Sequence, residues 1–386
     1  MKQIKVGLIG AAGRLAALAH ANGYLANPNA RIVAICDVDK AVLQARAKEW
    51  EVPRVYTDYR ELLSDRDVEL VDVLTPPYLH APMAVAAAQA GKHVIVEKPM
   101  CRSLAEADEM IDAARKSGVR LMVAESYAFT TPHVKARELI DQGAIGEPIH
   151  VRQTKGAWRL RTDVPERSRD VEATLRWRWD PVQSGGGDFP WFMDHAVHFF
   201  ATARYLMQDA DVVKVYAMPH QRRTSDGGTV KDVAAVTWEY AGGHRYGVWT
   251  RADESLQAFD YLGFRTEVYG AEGVIEVLGE GGGLGASGVR PAPLTLHTKG
   301  KTTRFQFDEG LDWRWDSVVN YYDRAHRNEI DHFIQCLVED KEPRYTGERG
   351  RKDIQCTLAA IMSATQDRPA EVASVPLGWT AYATEA

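Results

Sequence analysis

The sequence predicts an α/β protein with two parts: an N-terminal parallel sheet, then an α/β region built on a large, open, mostly antiparallel sheet. First, short apolar runs alternate with helical patterns up to about residue 125, which is typical of βαβ units. Second, later strand patterns follow one another across glycine turns. Since 386 residues exceed the size of one ordinary core, we predict domains at 1–125 and 126–386, with the C-terminal helices packing back on the first.

The N-terminal region predicts strands that are buried on both faces. Its strand patterns are apolar throughout, and parallel strands are covered on each side by their crossover helices. The predicted strands cover residues 4–9, 31–36, 70–74, 93–96 and 120–124, and the predicted helices cover residues 15–25, 41–50, 81–90 and 104–116.

Beyond residue 125, successive strand patterns indicate an antiparallel sheet. A helix is expected over 132–142, where Gly143 acts as the stop signal. The glycine-rich stretch 279–288 is interpreted as a connection. The further predicted strands cover 149–154, 212–218, 230–240, 245–250, 264–269 and 274–277, and the further predicted helices cover 191–207, 322–339 and 351–365.

Composition excludes several classes of protein. The formal net charge of −6 disfavours a nucleic-acid partner. The N-terminus shows no secretory leader, and no apolar run reaches the roughly 20 residues of a membrane span. The four cysteines form no C-x-x-C pair and indicate reduced thiols in a cytoplasmic protein, not a disulfide frame or a zinc site. They are Cys36, Cys101, Cys336 and Cys356.

A glycine turn between the first strand and first helix indicates a dinucleotide site. Gly10, Gly13 and Ala16 fit G-x-x-G-x-x-A, with Ala12 at the usual second glycine, and such a turn places a pyrophosphate at the helix N-terminus. Asp37 ends the second strand, where a carboxylate accepts ribose hydroxyls and repels a 2′-phosphate. This favours NAD over NADP, although Asp37 could instead cap the next helix. The expected cofactor-binding residues here are Gly10, Ala12, Gly13, Arg14, Leu15 and Asp37.

Glu97-Lys98-Pro99 follows the fifth predicted strand. The carboxyl ends of strands in an open parallel sheet face the ligand crevice. Lys98 there can donate to a substrate oxygen or relay a proton, whereas the alternative is an ordinary surface lysine.

Asp194 and His198 lie four residues apart in a predicted helix and therefore share one face. Oxidation of an alcohol needs a base for the hydroxyl proton, and a histidine oriented by a neighbouring carboxylate can serve near neutral pH. His195 is the alternative base, although its position next to Asp194 turns it about 100° around the helix. A metal site at these three residues is not favoured, and we predict none.

These motifs resemble the Gfo/Idh/MocA family, the group of glucose-fructose oxidoreductase and inositol dehydrogenase. The resemblance rests on the glycine turn, Thr75-Pro76-Pro77-Tyr78-Leu79-His80, Glu97-Lys98-Pro99, Asp194-x-x-x-His198 and Tyr269-Gly270-Ala271-Glu272-Gly273. It implies a Rossmann domain that binds NAD, followed by an α/β domain, and assembly as a homodimer or homotetramer through the outer sheet face.

The resemblance also implies roles for individual residues. Lys98 and His198 would handle the proton while the nicotinamide handles the hydride, and Asp194 would help to hold the substrate. Two departures from the family pattern are a glycine loop one residue longer and extra residues at 188–191, which affect the outline of the substrate pocket. The cofactor-lining residues implied are Thr75, Pro76, His80, Glu97 and Lys98.

The segment 152–180 is rich in arginine and tryptophan. Indoles stack on sugar faces and arginines bind anionic groups, so one interpretation is a pocket cap that selects an anionic sugar. The other is that these side chains form ion pairs or a subunit interface. Tyr127 is either an extra acid or base or a packed aromatic residue. The candidate substrate-binding residues are Tyr127, Trp158, Arg159, Arg178, Asp194 and His195.

The sequence therefore predicts an NAD-dependent oxidoreductase that transfers a hydride at a secondary alcohol of a sugar, an inositol or an anionic sugar derivative. An alternative is a redox-neutral NAD-dependent glycosidase for a uronate or sulfonated sugar. The resemblance allows this, because some proteins of the family hydrolyse glycosides with the same kinds of residues. A third class is a non-catalytic NAD-binding protein. The expected partner is a small carbohydrate, with no nucleic acid and no membrane.

Overall fold

The computed structural model describes residues 3–13, 16–155, 176–223, 228–251, 265–278, 294–307 and 321–382. Arg14 and Leu15 lie outside the described residues, as do Trp158, Arg159 and the glycine-rich stretch 279–288.

The first sheet is parallel and has the strand order β3-β2-β1-β4-β5-β6, which confirms the Rossmann class of the N-terminal region. Its order reverses between the neighbours β1 and β4. Its strands are β1 (Ile4–Ile9), β2 (Ala30–Cys36), β3 (Arg54–Tyr56), β4 (Leu70–Val73), β5 (His93–Glu97) and β6 (Leu121–Ala124), and its helices are α1 (Ala16–Ala26), α2 (Lys40–Glu49), α3 (Tyr59–Ser64), α4 (His80–Gln89) and α5 (Leu104–Ser117).

The second sheet has the order β14-β13-β12-β11-β7-β10-β9-β8-β15 within the described residues. Neighbouring strands pair antiparallel except β7 and β10, which are parallel, so the prediction of a mostly antiparallel sheet is confirmed, with one parallel pair that the strand pattern did not indicate. Its strands are β7 (Pro148–Lys155), β8 (Val212–Arg223), β9 (Thr229–Tyr240), β10 (Tyr246–Arg251), β11 (Arg265–Gly270), β12 (Gly273–Leu278), β13 (Leu294–Thr298), β14 (Lys301–Phe305) and β15 (Ala370–Glu371).

Four longer helices accompany this sheet among the described residues. They are α6 (Thr131–Asp141), α7 (Pro190–Leu206), α8 (Tyr321–Glu339) and α9 (Gly347–Gln366). Helix α7 buries Phe199 against Trp238 and Trp249 of the sheet. Aromatic pairs of this kind stabilise the packing beyond the area they bury, and they fix the helix that carries Asp194 and His198.

The last two helices pack on the N-terminal region. Helix α8 packs on α1, closely enough that a Cβ at Gly23 would lie 3.1 Å from Ile330. Helix α9 packs on both α5 and α7. The residues that follow β5 and β6 contact α7 directly, Lys98 at Asp194 and Glu125 at His198.

Candidate active site

The glycine turn lies at the point where the strand order of the first sheet reverses. Gly10 has φ +89°, and a Cβ there would lie 2.8 Å from the backbone carbonyl carbon of Leu74. Only glycine fits such a position without strain. The turn therefore lets the backbone between β1 and α1 approach a ligand closely, as a pyrophosphate site requires.

Asp37 faces this turn from the end of β2. Its Oδ2 accepts the Ala12 N–H at 2.9 Å and its Oδ1 accepts the Asp39 N–H at 3.1 Å. The cap of α2 is Asp39, which accepts from Ala41 and Val42, so the interpretation of Asp37 as a helix cap is wrong. The carboxylate is instead fixed beside the glycine turn, where a ribose would lie.

His80 joins the two loops that follow β4 and β5. Its Nε2 lies 2.6 Å from the Thr75 carbonyl oxygen and its Nδ1 lies 2.8 Å from the Pro99 carbonyl oxygen. The ring is buried, and burial lowers its pKa. A neutral ring carries one N–H, so His80 donates to one of these two carbonyl oxygens and lies in contact with both the Thr75-Pro76 and the Lys98-Pro99 segments.

Glu97 belongs to a buried polar network. Its Oε1 lies 3.5 Å from His20 Nε2, and His20 Nδ1 lies 2.8 Å from Asp72. Burial alone would raise the pKa of Glu97, but the hydrogen bond and charge of His20 together with Lys98 hold it at about 2. The carboxylate thus braces the strand end that presents Lys98.

Lys98 and Asp194 form a buried ion pair between β5 and α7. Lys98 Nζ donates to Asp194 Oδ1 at 3.0 Å and to the Asp194 carbonyl oxygen at 3.2 Å. Arg178 Nε lies 3.3 Å from the other carboxylate oxygen. Although burial raises the pKa of Asp194, the charges of Arg178 and Lys98 hold it well below its usual range. Asp194 therefore stays ionised and keeps the ammonium group in place.

The carboxylate that contacts His198 is Glu125, not Asp194. Glu125 Oε1 lies 2.7 Å from His198 Nδ1 and accepts the Tyr127 N–H at 3.2 Å. The expectation that Asp194 orients His198 is thus wrong, because Lys98 and Arg178 occupy the Asp194 carboxylate. Sequence reasoning missed Glu125, although its position directly after β6 obeys the same strand-end rule that indicated Lys98.

His195 and His198 line the same cavity. They are three residues apart, and this spacing places two side chains on one helix face. The turn of about 100° separates His195 from its neighbour Asp194, but it does not separate His195 from His198. His195 Nδ1 lies 3.0 Å from the Trp191 carbonyl oxygen, and its ring stacks on Trp191 at 3.9 Å. Burial and the nearby charge of Lys155 lower its pKa well below the usual value, so His195 is a neutral hydrogen-bonding group.

The cavity lies between α7 and the face of the second sheet. The Tyr127 ring stacks on His198 with centroids 4.2 Å apart and an interplanar angle of 12°. Lys155 Nζ lies 5.6 Å from the Trp191 ring centre. The residues that line the cavity are Tyr127, His133, Gln153, Thr154, Lys155, His195, His198, Phe199, Thr202, Trp249, Arg265 and Thr266.

Two family models match this chain. Residues 4–125 match one described as an oxidoreductase family with an NAD-binding Rossmann fold, and residues 137–372 match its C-terminal alpha/beta domain. These two matches together span most of the chain.

Characterised relatives include dehydrogenases of polyols and sugars. Myo-inositol 2-dehydrogenase of Thermotoga maritima is 28% identical over 96% of this chain and 99% of that protein. Levoglucosan dehydrogenase of Pseudarthrobacter phenanthrenivorans is 33% identical over 55% of this chain and 53% of that protein. A solved levoglucosan dehydrogenase, in complex with NADH and levoglucosan, superposes with a TM-score of 0.76 at 25% identity, covering 96% of this chain and all of that one.

No helix within the described ranges is both long and apolar enough to cross a membrane.

Proposed function

The chain belongs to the Gfo/Idh/MocA oxidoreductase family, and from this premise we propose that it oxidises a secondary alcohol of a sugar or polyol with NAD. The observation that carries the proposal is the convergence of two pairs, Lys98–Asp194 and Glu125–His198, at the ends of β5 and β6. Both pairs lie at the edge of the parallel sheet that also presents the glycine turn, which is where open α/β sheets bind ligands.

The residues around the glycine turn fit a dinucleotide. Gly10 leaves the space that a side chain would fill, the N-terminal end of α1 favours a pyrophosphate, and Asp37 supports a ribose with free hydroxyls. The Thr75-Pro76 segment, fixed by His80, would line the nicotinamide side. When bound, NAD supplies the acceptor for the substrate hydride. Arg14 and Leu15 complete the proposed set from outside the described residues.

Lys98 and His198 are the proposed catalytic groups. Lys98 donates a hydrogen bond to the reacting oxygen and stabilises negative charge as its proton leaves. Asp194 holds the Lys98 side chain in place, because the carboxylate accepts a hydrogen bond from its Nζ. His198 accepts the hydroxyl proton as general base.

The remaining cavity side chains would read the substrate's other hydroxyls. His195 is neutral and offers an acceptor, while Gln153 offers both a donor and an acceptor. Tyr127 packs on His198 and so forms one wall. Lys155 brings a positive charge to the cavity, which would suit an anionic sugar derivative. Arg178 contacts Asp194, so it would act on the substrate through that carboxylate.

We also propose that the domains cover residues 1–125 and 126–386, that the protein is cytoplasmic, and that it assembles as a homodimer or homotetramer. The relatives' names suggest a substrate panel of inositols, levoglucosan and free aldoses. The panel should include uronates as anionic counterparts, because Lys155 faces the cavity.

The proposal is tested by incubating the chain with NAD and each member of this panel while following NADH absorbance. We expect NADH formation with at least one member, and a loss of turnover of about 10²–10⁴-fold in Lys98→Met and in His198→Asn. If both variants turn over like the unaltered chain, the assigned site is wrong.

A further inference from the structure

We propose that Glu125 is the positioning residue of His198, and that the Glu125–His198 pair holds the proton released when the alcohol is oxidised. The proposal rests on the proposed function, because it concerns the base of the same reaction. It assigns a role to a carboxylate that is separated by 73 residues from its histidine partner.

The contacts of Glu125 and Tyr127 fix the orientation of the His198 ring. His198 Nδ1 lies 2.7 Å from Glu125 Oε1, so exchange of a proton with the substrate falls to Nε2. The Tyr127 ring lies nearly parallel to the imidazole, and the Tyr127 N–H contacts the same Glu125 oxygen. Ring plane and ring rotation are therefore both fixed by the segment that follows β6.

The Glu125–His198 pair can hold either one or two protons, and each form suits one direction of the reaction. With one proton, Glu125 is a carboxylate that accepts the Nδ1 hydrogen, and Nε2 is an acceptor. With two protons, Nε2 carries a hydrogen and can donate to a carbonyl oxygen. Two groups coupled this closely titrate as a unit, so the pair passes between a form suited to alcohol oxidation and a form suited to carbonyl reduction.

Oxidation of the alcohol transfers one hydride and one proton. The carbon–hydrogen bond of the alcohol breaks with its electron pair, and the hydride is transferred to NAD. The oxygen–hydrogen bond breaks, and its proton is transferred to His198 Nε2 while a carbon–oxygen double bond forms. The Nδ1 proton stays between the ring and Glu125. The pair thus gains one proton per oxidation and returns it to solvent before the next.

The surroundings make this pair responsive near neutral pH. Glu125 is buried, and burial raises the pKa of its carboxyl to about 8 although the charge of Lys98 lowers it. Glu97 and Glu329 act on it in the same upward direction as burial. Tyr345, just before α9, and Asp353, within α9, lie close enough to interact electrostatically with Glu125.

The central variant is Glu125→Gln, which keeps the size and a hydrogen-bonding oxygen but removes the ionisation. We expect kcat for oxidation to fall about 10²–10⁴-fold, with KM within about threefold, and the pH dependence near 8 to disappear. Glu125→Asp should recover part of kcat and restore a pH-dependent limb. The matched control is Glu106→Gln, a carboxylate that accepts from Arg102 outside the cavity, and it should leave kcat and its pH profile unchanged.

A second readout needs neither cofactor nor turnover. In the chain labelled with ¹⁵N-histidine, the His198 signals, assigned with His198→Asn, should titrate together with a group that is lost in Glu125→Gln. If the variant folds and binds NAD normally yet keeps both the pH profile and the His198 titration of the unaltered chain, the inference is overturned. If the unaltered chain turns over no panel member, the proposed function fails, while the His198 titration still decides whether the two groups are coupled.

Discussion

Asp194→Asn is the perturbation that tests the Lys98 assignment most sharply. The carboxylate is 1% exposed and contacts Lys98 at 3.0 Å and Arg178 at 3.3 Å. The amide keeps the size of the side chain but removes the charge. Lys98 and Arg178 then face each other across a neutral group in a buried site, so two cations lose their shared counter-charge.

The size of the effect follows from burial. Removing one partner of a buried ion pair costs about 3–5 kcal/mol because it leaves an uncompensated charge. Lys98 is 12% exposed, so the structure can relieve only part of this cost by hydration. If about 3–4 kcal/mol of it appears in the transition state, where the ammonium must stay charged and aimed, kcat/KM falls about 10²–10³-fold.

The assay is steady-state oxidation with NAD, together with NAD affinity and thermal unfolding. Asp209→Asn is the matched control, because Asp209 also lies between two arginines, Arg137 and Arg349, but away from the cavity and 30% exposed. We expect the control to change stability slightly and kcat/KM not at all. A folded, NAD-binding Asp194→Asn chain with kcat/KM within threefold of the unaltered chain would refute the role of the pair.

Three further predictions concern the cofactor turn and Glu125. Asp37→Ala should raise KM for NAD about tenfold and narrow the preference for NAD over NADP by at least about tenfold, since the carboxylate repels a 2′-phosphate; an unchanged ratio of kcat/KM values would contradict this. Gly10→Ala should weaken NAD binding, measured by calorimetry, and cost about 1–3 kcal/mol of stability because φ is +89°; full NAD affinity at unchanged stability would argue against the glycine turn as the cofactor site. The unaltered chain should lose free energy of unfolding as pH rises from about 4.5 to about 8, because the folded Glu125 carboxyl, with its raised pKa, holds its proton more tightly than the unfolded chain does. Glu125→Gln lacks this ionisation, so its free energy of unfolding should rise relative to that of the unaltered chain over the same range. Denaturant unfolding that shows no such relative rise, or the opposite trend, would contradict the raised pKa.

The strands and long helices could be predicted because burial dictates their residue types. Apolar β-branched runs mark β1 and β2, which are covered on both faces. The strand Arg54–Tyr56 escaped prediction because three half-buried residues carry no periodic signal. The strand Leu294–Thr298 and the edge strand Lys301–Phe305 were not predicted, because threonine, lysine and histidine dilute their apolar alternation.

Contacts between segments that lie far apart in the sequence could not be predicted from local patterns. The parallel contact of β7 with β10 depends on how the whole sheet assembles, and no local pattern encodes it. The same limit explains the site. The spacing of Asp194 and His198 predicts that they share one helix face, and both are buried, but their partners come from the residues that follow β5 and β6. Only the assembled fold assigns Lys98 to Asp194 and Glu125 to His198.

Whether the chain is a dehydrogenase is decided by the yield of NADH per substrate consumed across the polyol and sugar panel, with aryl glycosides included. We expect one mole of NADH for each mole of alcohol oxidised with at least one free sugar or polyol, and we expect Lys98→Met to abolish this yield. Aglycone release without NADH, or no reaction of any free sugar or polyol by a chain that binds NAD, would contradict it.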